Sequence, residues 1–437
     1  MIDAQTVHGS LSRFQLVDGY PLVLDLEKSH GSWLHDAKSG DEYLDCFTCF
    51  ASWPLGWNHP GLDDAAFRAE MAKVAPQNPA NSDLYTIEMA RFVEAFGSKV
   101  TPEGFDHHFW VAGGSLAVEN AMKVAFDWKA RKLGITDMTA DTNDLSILHL
   151  REAFHGRSGY TMSVTNTLPD KVGLFPKFDW PRVHNPKAIY DLDGNVLPEV
   201  ADAEARACAE IEAAFAERGG KIAGILLEPM QGEGGDNHFR TEFFQKLRQY
   251  ADEHEALLLY DEVQTGFYGS GDAWYWEHHG VKPDVVSFGK KTQVCGVYAG
   301  PRVDEVEDNV FARSSRINST WGGNLVDMVR ARRFIEVIHA ERLDENITAR
   351  GQQLVDGLRG IAKEKGGFHN VRGRGALVAA SFDEAADRDA MVKSLHEQKL
   401  MALPCGTDSI RFRPALSITE AEVDLILEKV AAAVATV

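Results

Sequence analysis

From about residue 105 onward, short apolar runs alternate with amphipathic stretches, and this alternation narrows the fold more than any other feature. Strand-like runs fall at 109–111, 146–150, 222–228, 256–261 and 284–288, with helical patterns between them, as at 116–132 and 242–254. Parallel strands need a crossover and bury both faces, so this pattern predicts a mostly parallel sheet covered on both sides. Near Thr320-Trp321-Gly322-Gly323 the texture changes. Stretches 325–340 and 347–365 read as long helices, 376–382 and 410–413 as strands, and 419–434 as a last helix. Residues 1–60 are rich in aromatics and carry short strand-like runs at 22–24, 33 and 43–44. The expectation is an α/β chain in three parts. Residues 1–60 form an N-terminal segment shared with the small domain and the site. Residues 61–325 form a large domain, and 326–437 a smaller α+β domain.

The chain of 437 residues is long enough to bury a large core without disulfides or metals. With 65 acidic against 45 basic residues its net charge is −20, which argues against nucleic acid and anionic membrane surfaces as partners. Any anion site must therefore be local, made from a few arginines or a helix end. The first residues, MIDAQTVHGSLSRF, lack a basic region followed by an apolar run, and runs such as 222–227 are far too short to span a membrane. Five scattered cysteines, an odd number, suit a reduced cytoplasmic protein. Cys46 and Cys49 have redox or zinc spacing but no second Cys/His pair nearby, and read as core. The His107-His108 and His278-His279 pairs lack ligand spacing, and the acids at 304–308 read as a solvated face.

Four segments carry chemistry. The apolar run ending at Asp261 delivers an acid to a strand's C-terminal end, where α/β sheets bind ligands. A second run, Val285-Val286-Ser287-Phe288, ends in Gly289-Lys290-Lys291, far enough along for one helical crossover from Asp261. A lysine and a carboxylate so placed are what pyridoxal phosphate needs: one for a Schiff base, the other opposite the pyridine nitrogen. Gly113-Gly114-Ser115 precedes a helix, whose free amides suit a phosphate. Phe154-His155-Gly156-Arg157 offers an aromatic face and a guanidinium fork. Alone, each has a plainer reading: a capping Asp, a solvated lysine turn, a helix cap, a core Phe beside a surface Arg.

Taken in order, the motifs resemble one family. They are Gly-Gly-Ser, Phe-His-Gly-Arg, Glu-Pro-Met-Gln-Gly-Glu (228–233), Asp-Glu-Val-Gln-Thr-Gly (261–266), Gly-Lys-Lys (289–291), Asn-Ser-Thr-Trp-Gly-Gly-Asn (318–324) and Ile-Arg-Phe-Arg-Pro (410–414). Over residues 20–430 the chain resembles the class III aminotransferases, which include those acting on ornithine, 4-aminobutyrate and lysine. The resemblance implies the fold type I architecture and pyridoxal 5'-phosphate as cofactor. Lys-Lys-Thr-Gln-Val-Cys-Gly and Asn-Ser-Thr-Trp-Gly-Gly-Asn are most similar to the lysine-using branch. That branch moves the ε-amino group of L-lysine to 2-oxoglutarate, giving 2-aminoadipate 6-semialdehyde and L-glutamate.

The resemblance also implies roles. Lys290 would hold the cofactor and shuttle a proton, and Asp261 would pair with the ring nitrogen. Phe154 and Val263 would pack the two ring faces, Gln264 would bond the ring oxygen, and Gly114 and Ser115 would bind the phosphate. Thr320 would reach the phosphate of the neighbouring subunit, implying a homodimer with shared sites. Arg157 would hold the distal carboxylate of 2-oxoglutarate or the α-carboxylate of lysine, Arg411 the α-carboxylate of glutamate. Glu233 would neutralise Arg411 while the donor is bound, and Asn318 is a substrate-side residue. Two departures stand out: Gly-Ser-Leu-Ala where an acid commonly follows Ser/Thr, and Cys295-Gly296 where Gly-Gly is common. Counting back from Cys295-Gly296 favours Lys291; the strand followed by Gly289 favours Lys290, the reading adopted. Arg157, Glu233 and Arg411 together argue against an aminomutase or racemase, and Lys290 with Asp261 against a non-enzymatic binding protein.

Overall fold

A computed structural model describes residues 2–435. At its centre is a seven-stranded sheet. The strand order is His107–Val111, Cys295–Ala299, Val285–Phe288, Leu257–Asp261, Ile222–Leu227, Ser146–Leu150, Arg182–Val183. The five strands from Val285–Phe288 to Arg182–Val183 are parallel, and Cys295–Ala299 runs antiparallel to both of its neighbours. Alternation along each strand divides the core. Leu257 and Leu259 pack with helix Gly114–Lys132 on one face, while Leu258 and Tyr260 pack with Thr241–Glu253 on the other.

The expected mostly parallel sheet is present, with one strand more on its antiparallel side than the sequence reading supplies. Between Asp261 and Val285 the expected helical crossover is absent. Glycines at 266, 269, 271 and 280 interrupt any helix, and the link holds only the 3₁₀ turn Tyr275–His279. It is pinned instead by buried Glu262, which accepts from the Trp276 amide at 2.8 Å and from the Thr265 hydroxyl.

The C-terminal part holds a four-stranded antiparallel sheet, ordered His369–Arg374, Leu377–Ser381, Ser409–Phe412, Leu403–Cys405. Helices Leu343–Lys365, Ala385–Glu397 and Glu420–Val434 pack around it. Helix Leu325–Glu341 leads into this region and breaks at Arg342, whose φ of 52° is left-handed. Near the N-terminus, Trp33–His35 and Glu42–Asp45 pair, and Leu400–Met401 adds to Glu42–Asp45 as a third, parallel strand. The run at 22–24 makes no strand, only a bridge from Leu24 to Asp36. Among the described residues no helix is long and apolar enough to cross a membrane.

Candidate active site

Parallel strands deliver their C-terminal ends to one edge, and a cavity of about 290 Å³ lies there. Seven residues marked in the sequence line it: Gly114, Ser115, Phe154, Asp261, Val263, Gln264 and Lys290. Asp261 is the last residue of its strand and lies across from Ser287 in the neighbouring one. Its Oδ2 is 2.8 Å from His155 Nδ1, and its Oδ1 accepts from the Val263 amide at 3.0 Å.

Lys290 follows Gly289 at the end of Val285–Phe288, with a left-handed φ of 54°. That conformation is costly for a residue with a β-carbon, by about 1–3 kcal/mol, and it turns the chain off the strand at the cavity. Burial pulls the Lys290 ammonium down to about 8; Arg411 and Arg413 add to this, while Glu228 and Asp261 oppose it. Lys291 faces away. It is buried, and its Nζ donates to the Gln264 carbonyl oxygen at 2.5 Å, outside the cavity lining.

The other walls come from loops. Helix Gly114–Lys132 begins at the cavity, so its first amides lack helical acceptors. Two glycines make the approach tight. A β-carbon at Gly114 would meet Val263 Cγ1 at 2.7 Å, and one at Gly156 would meet Ser115 Oγ at 2.3 Å. Ser115 Oγ is in turn 2.6 Å from Ser158 Oγ and 2.7 Å from Thr161 Oγ1. Amides, hydroxyls and a helix N-terminus suit a phosphate, Phe154 and Val263 a planar ring, and Lys290 an aldehyde. These groups fit pyridoxal 5'-phosphate.

Beside the cavity, Arg411 Nη2 donates to Glu233 Oε2 at 2.9 Å, and Arg411 is 2 % exposed. Gln264 Oε1 accepts from both Arg411 Nη1 and Arg413 Nη2 at 3.2 Å, which leaves its amide nitrogen free. Arg413 is also paired with buried Asp236 at 2.5 Å. Arg157, Asn318 and Thr320 are exposed and lie outside the lining of this cavity. The loop carrying Asn318 and Thr320 docks on Asn81 and Ser82, with Ser82 Oγ donating to the Ser319 carbonyl at 2.7 Å.

Three polar groups at the site had no assigned role from sequence. His155 and Glu228 lie inside motifs, but only their buried placement reveals their partners. Glu228 joins two loops, accepting from the Phe154 amide at 2.9 Å and the Gly232 amide at 3.0 Å. Lys171 comes from a short turn with no motif around it and reaches Glu233. A further feature has no signal in residue type. Thr48, Cys49, Phe50 and Ala51 all take left-handed φ of 38–62°, and this turn packs against Lys290–Thr292.

The aminotransferase class-III family matches residues 16–434. The L-lysine-epsilon aminotransferase of Amycolatopsis lactamdurans is 49% identical over 437 residues, spanning 99% of this chain and 96% of that protein. The Mycobacterium tuberculosis protein of that name is 51% identical over 439 residues, with the same coverage. Compared by structure, the lysine aminotransferase from M. tuberculosis in the internal aldimine form has a TM-score of 0.95 at 49% identity, covering 100% of both chains. An ornithine aminotransferase from Toxoplasma gondii, 21% identical, shares the fold with a TM-score of 0.80, over 99% of this chain and 94% of that one. By this nearly full-length match the chain belongs to the class III aminotransferases.

Proposed function

We propose that this enzyme transfers the terminal amino group of L-lysine to 2-oxoglutarate in two half-reactions, giving 2-aminoadipate 6-semialdehyde and L-glutamate. One observation carries the reading: a buried guanidinium, Arg411, is closed by the carboxylate of Glu233 beside a cavity lined by Lys290 and Asp261. Such a pair lets one site take an amine with an aliphatic chain and then a dicarboxylate, because an unpaired buried guanidinium facing the aliphatic chain would be costly. The 49–51% identity to L-lysine-epsilon aminotransferases supports lysine as donor.

The cofactor, pyridoxal 5'-phosphate, supplies an electron sink when the substrate carbon loses its proton. The chain's own residues do the rest. Lys290 Nζ would hold the cofactor's aldehyde and, as a free amine, would take up and return the substrate's proton. Asp261, positioned by His155, holds a proton at the ring nitrogen. Phe154 and Val263 clamp the ring, the Gln264 amide nitrogen donates to the ring oxygen, and the Gly114–Ser115 amides hold the phosphate. Arg411 receives the α-carboxylate of glutamate or 2-oxoglutarate once Glu233 leaves it. Arg157 would take the other carboxylate, with Asn318 on the substrate side.

We place the protein in the reducing cytoplasm as a homodimer, with Thr320 serving the partner's phosphate site. Exposed Leu84, Tyr85, Ile87 and Trp321, close to the loop that carries Thr320, form the kind of apolar surface that subunits cover. Spectroscopy tests the donor. The visible band of the bound cofactor should fade on adding L-lysine and return with 2-oxoglutarate. Fading with ornithine or 4-aminobutyrate, but not with lysine, would overturn the assignment.

A further inference from the structure

Glu233 is held by two cations, not one. Arg411 Nη2 takes its Oε2 at 2.9 Å, and Lys171 Nζ hydrogen-bonds its Oε1. The two arrive from far apart in the chain, Lys171 from 62 residues before Glu233 and Arg411 from 178 after. The Lys171 ammonium also lies over the ring of Phe154, a cavity-lining residue, 5.6 Å from its centroid.

The two cations differ in how firmly they are held. Arg411 sits on strand Ser409–Phe412, 2 % exposed, with Gln264 fixing its other terminal nitrogen at 3.2 Å. Lys171 sits on the four-residue turn Pro169–Val172, half-buried, on a flexible stem. Burial alone would raise the Glu233 carboxyl. Arg411 and Lys171 more than offset this and hold it below the usual carboxylate range. A carboxylate so held stays charged, and when it leaves Arg411 it still needs a cation, because an unpaired charge in a partly buried place is costly.

We propose that Lys171 is the second berth of Glu233: a positioning residue that keeps this carboxylate paired while Arg411 passes to a substrate carboxylate, and so sets how readily the site admits a dicarboxylate. The proposal rests on the reading of Glu233 and Arg411 as a gate. With Lys171 in place, opening exchanges the Arg411–Glu233 bond for Arg411–substrate and leaves Lys171–Glu233 intact. Without it, opening strands Glu233. A donor amine enters with the gate closed, so the donor side depends on Lys171 far less.

Calorimetry with glutarate, a dicarboxylate that cannot react, tests this on the holoenzyme, alongside KM for each substrate. Lys171→Met keeps the stem over Phe154 and removes the charge. It should raise the glutarate Kd and the 2-oxoglutarate KM by roughly five- to tenfold, and the L-lysine KM much less. Lys171→Arg should restore both acceptor-side values. In a Glu233→Gln background, Lys171→Met should cause no further loss of glutarate binding. Unchanged glutarate binding in Lys171→Met, or an equal loss in both backgrounds, overturns the proposal while leaving the gate standing. The gate is judged separately: Glu233→Gln alone should tighten glutarate, and if it does not, the gate reading falls and the berth with it.

Discussion

His155 Nδ1 lies 2.8 Å from Asp261 Oδ2, and both side chains are buried beneath the cavity. The residues are 106 positions apart and arrive from different strand ends. With Oδ1 taken by the Val263 amide, the carboxylate is fixed at both oxygens, and its direction is set before any ligand arrives. A ring nitrogen placed over it meets a preorganised partner, whereas a free carboxylate would lose rotational freedom on binding.

Removing the anchor should therefore loosen the cofactor. His155→Ala leaves a buried oxygen of Asp261 unsatisfied, and the cofactor Kd is expected to rise about tenfold or more. His155→Gln, which can still donate, should lose less. Equilibrium dialysis of folded protein checks both. An unchanged Kd in His155→Ala would mean that the Val263 amide alone fixes Asp261.

The phosphate side gives a steric prediction. At Gly156 the φ of 117° excludes ordinary side chains, and a β-carbon would lie 2.3 Å from Ser115 Oγ. Gly156→Ala should push Ser115 off its hydroxyl partners and erase much of the preference for pyridoxal 5'-phosphate over pyridoxal. Three residues on, a β-carbon at Gly159 would make an ordinary contact with Glu119 Oε1 at 3.5 Å, so Gly159→Ala should bind both as the parent does. Comparing the two ratios by spectral titration decides it.

How far the site could be read in advance depended on where its residues sit. Asp261 and Lys290 each close an apolar run, and strand ends are legible because buried parallel strands leave long apolar signatures. The link between them was misread as a crossover helix. Its order comes from Glu262 bonding the Trp276 amide, a long-range contact that no local pattern reports. The turn at 48–51 holds no glycine, so nothing in its residue types announces left-handed backbone. Lys171 looks like any surface lysine in sequence, and only the fold brings it to Glu233. Strand Cys295–Ala299, five residues like Leu257–Asp261, escapes the sequence reading because it follows Lys290 by only a tight turn, with Gln293 at φ 61°, where the pattern leads one to expect a crossover helix before the next strand.

The anchor lysine should show its burial in its pH dependence. Lys290 is brought down to about 8 mainly by burial, so its neutral, nucleophilic form grows as pH rises through that value. In cofactor-free protein, reductive methylation of Lys290 followed by mass spectrometry should show a midpoint near 8. A midpoint above 10 would contradict the electrostatics described. With cofactor present, Lys290→Ala should abolish the borohydride-reducible adduct, and Lys291→Ala should leave it. The opposite pattern would move the anchor by one residue.

Glu228 makes a stability prediction with a definite sign. Burial raises its carboxyl from 4.5 to about 7; His155 and the Phe154 and Gly232 amides oppose the rise, and Asp261 adds to it. The folded protein thus holds this proton more tightly than the unfolded chain. Below about 4.5 both states are protonated and the favourable contribution is fully present. It is lost as pH rises from 4.5 through 7, by roughly 3 kcal/mol in all. Glu228→Gln cannot titrate, and its amide oxygen can still accept from one of the two loop amides. At pH 5 the variant should be less stable than the parent, because one acceptor is gone. Between pH 5 and 8 the gap should narrow or reverse, as the parent alone loses the protonation term. Chemical denaturation of both proteins at several pH values measures this. A gap that stays constant would mean that Glu228 titrates as an ordinary carboxylate, and that its two loop amides, not burial, govern its charge.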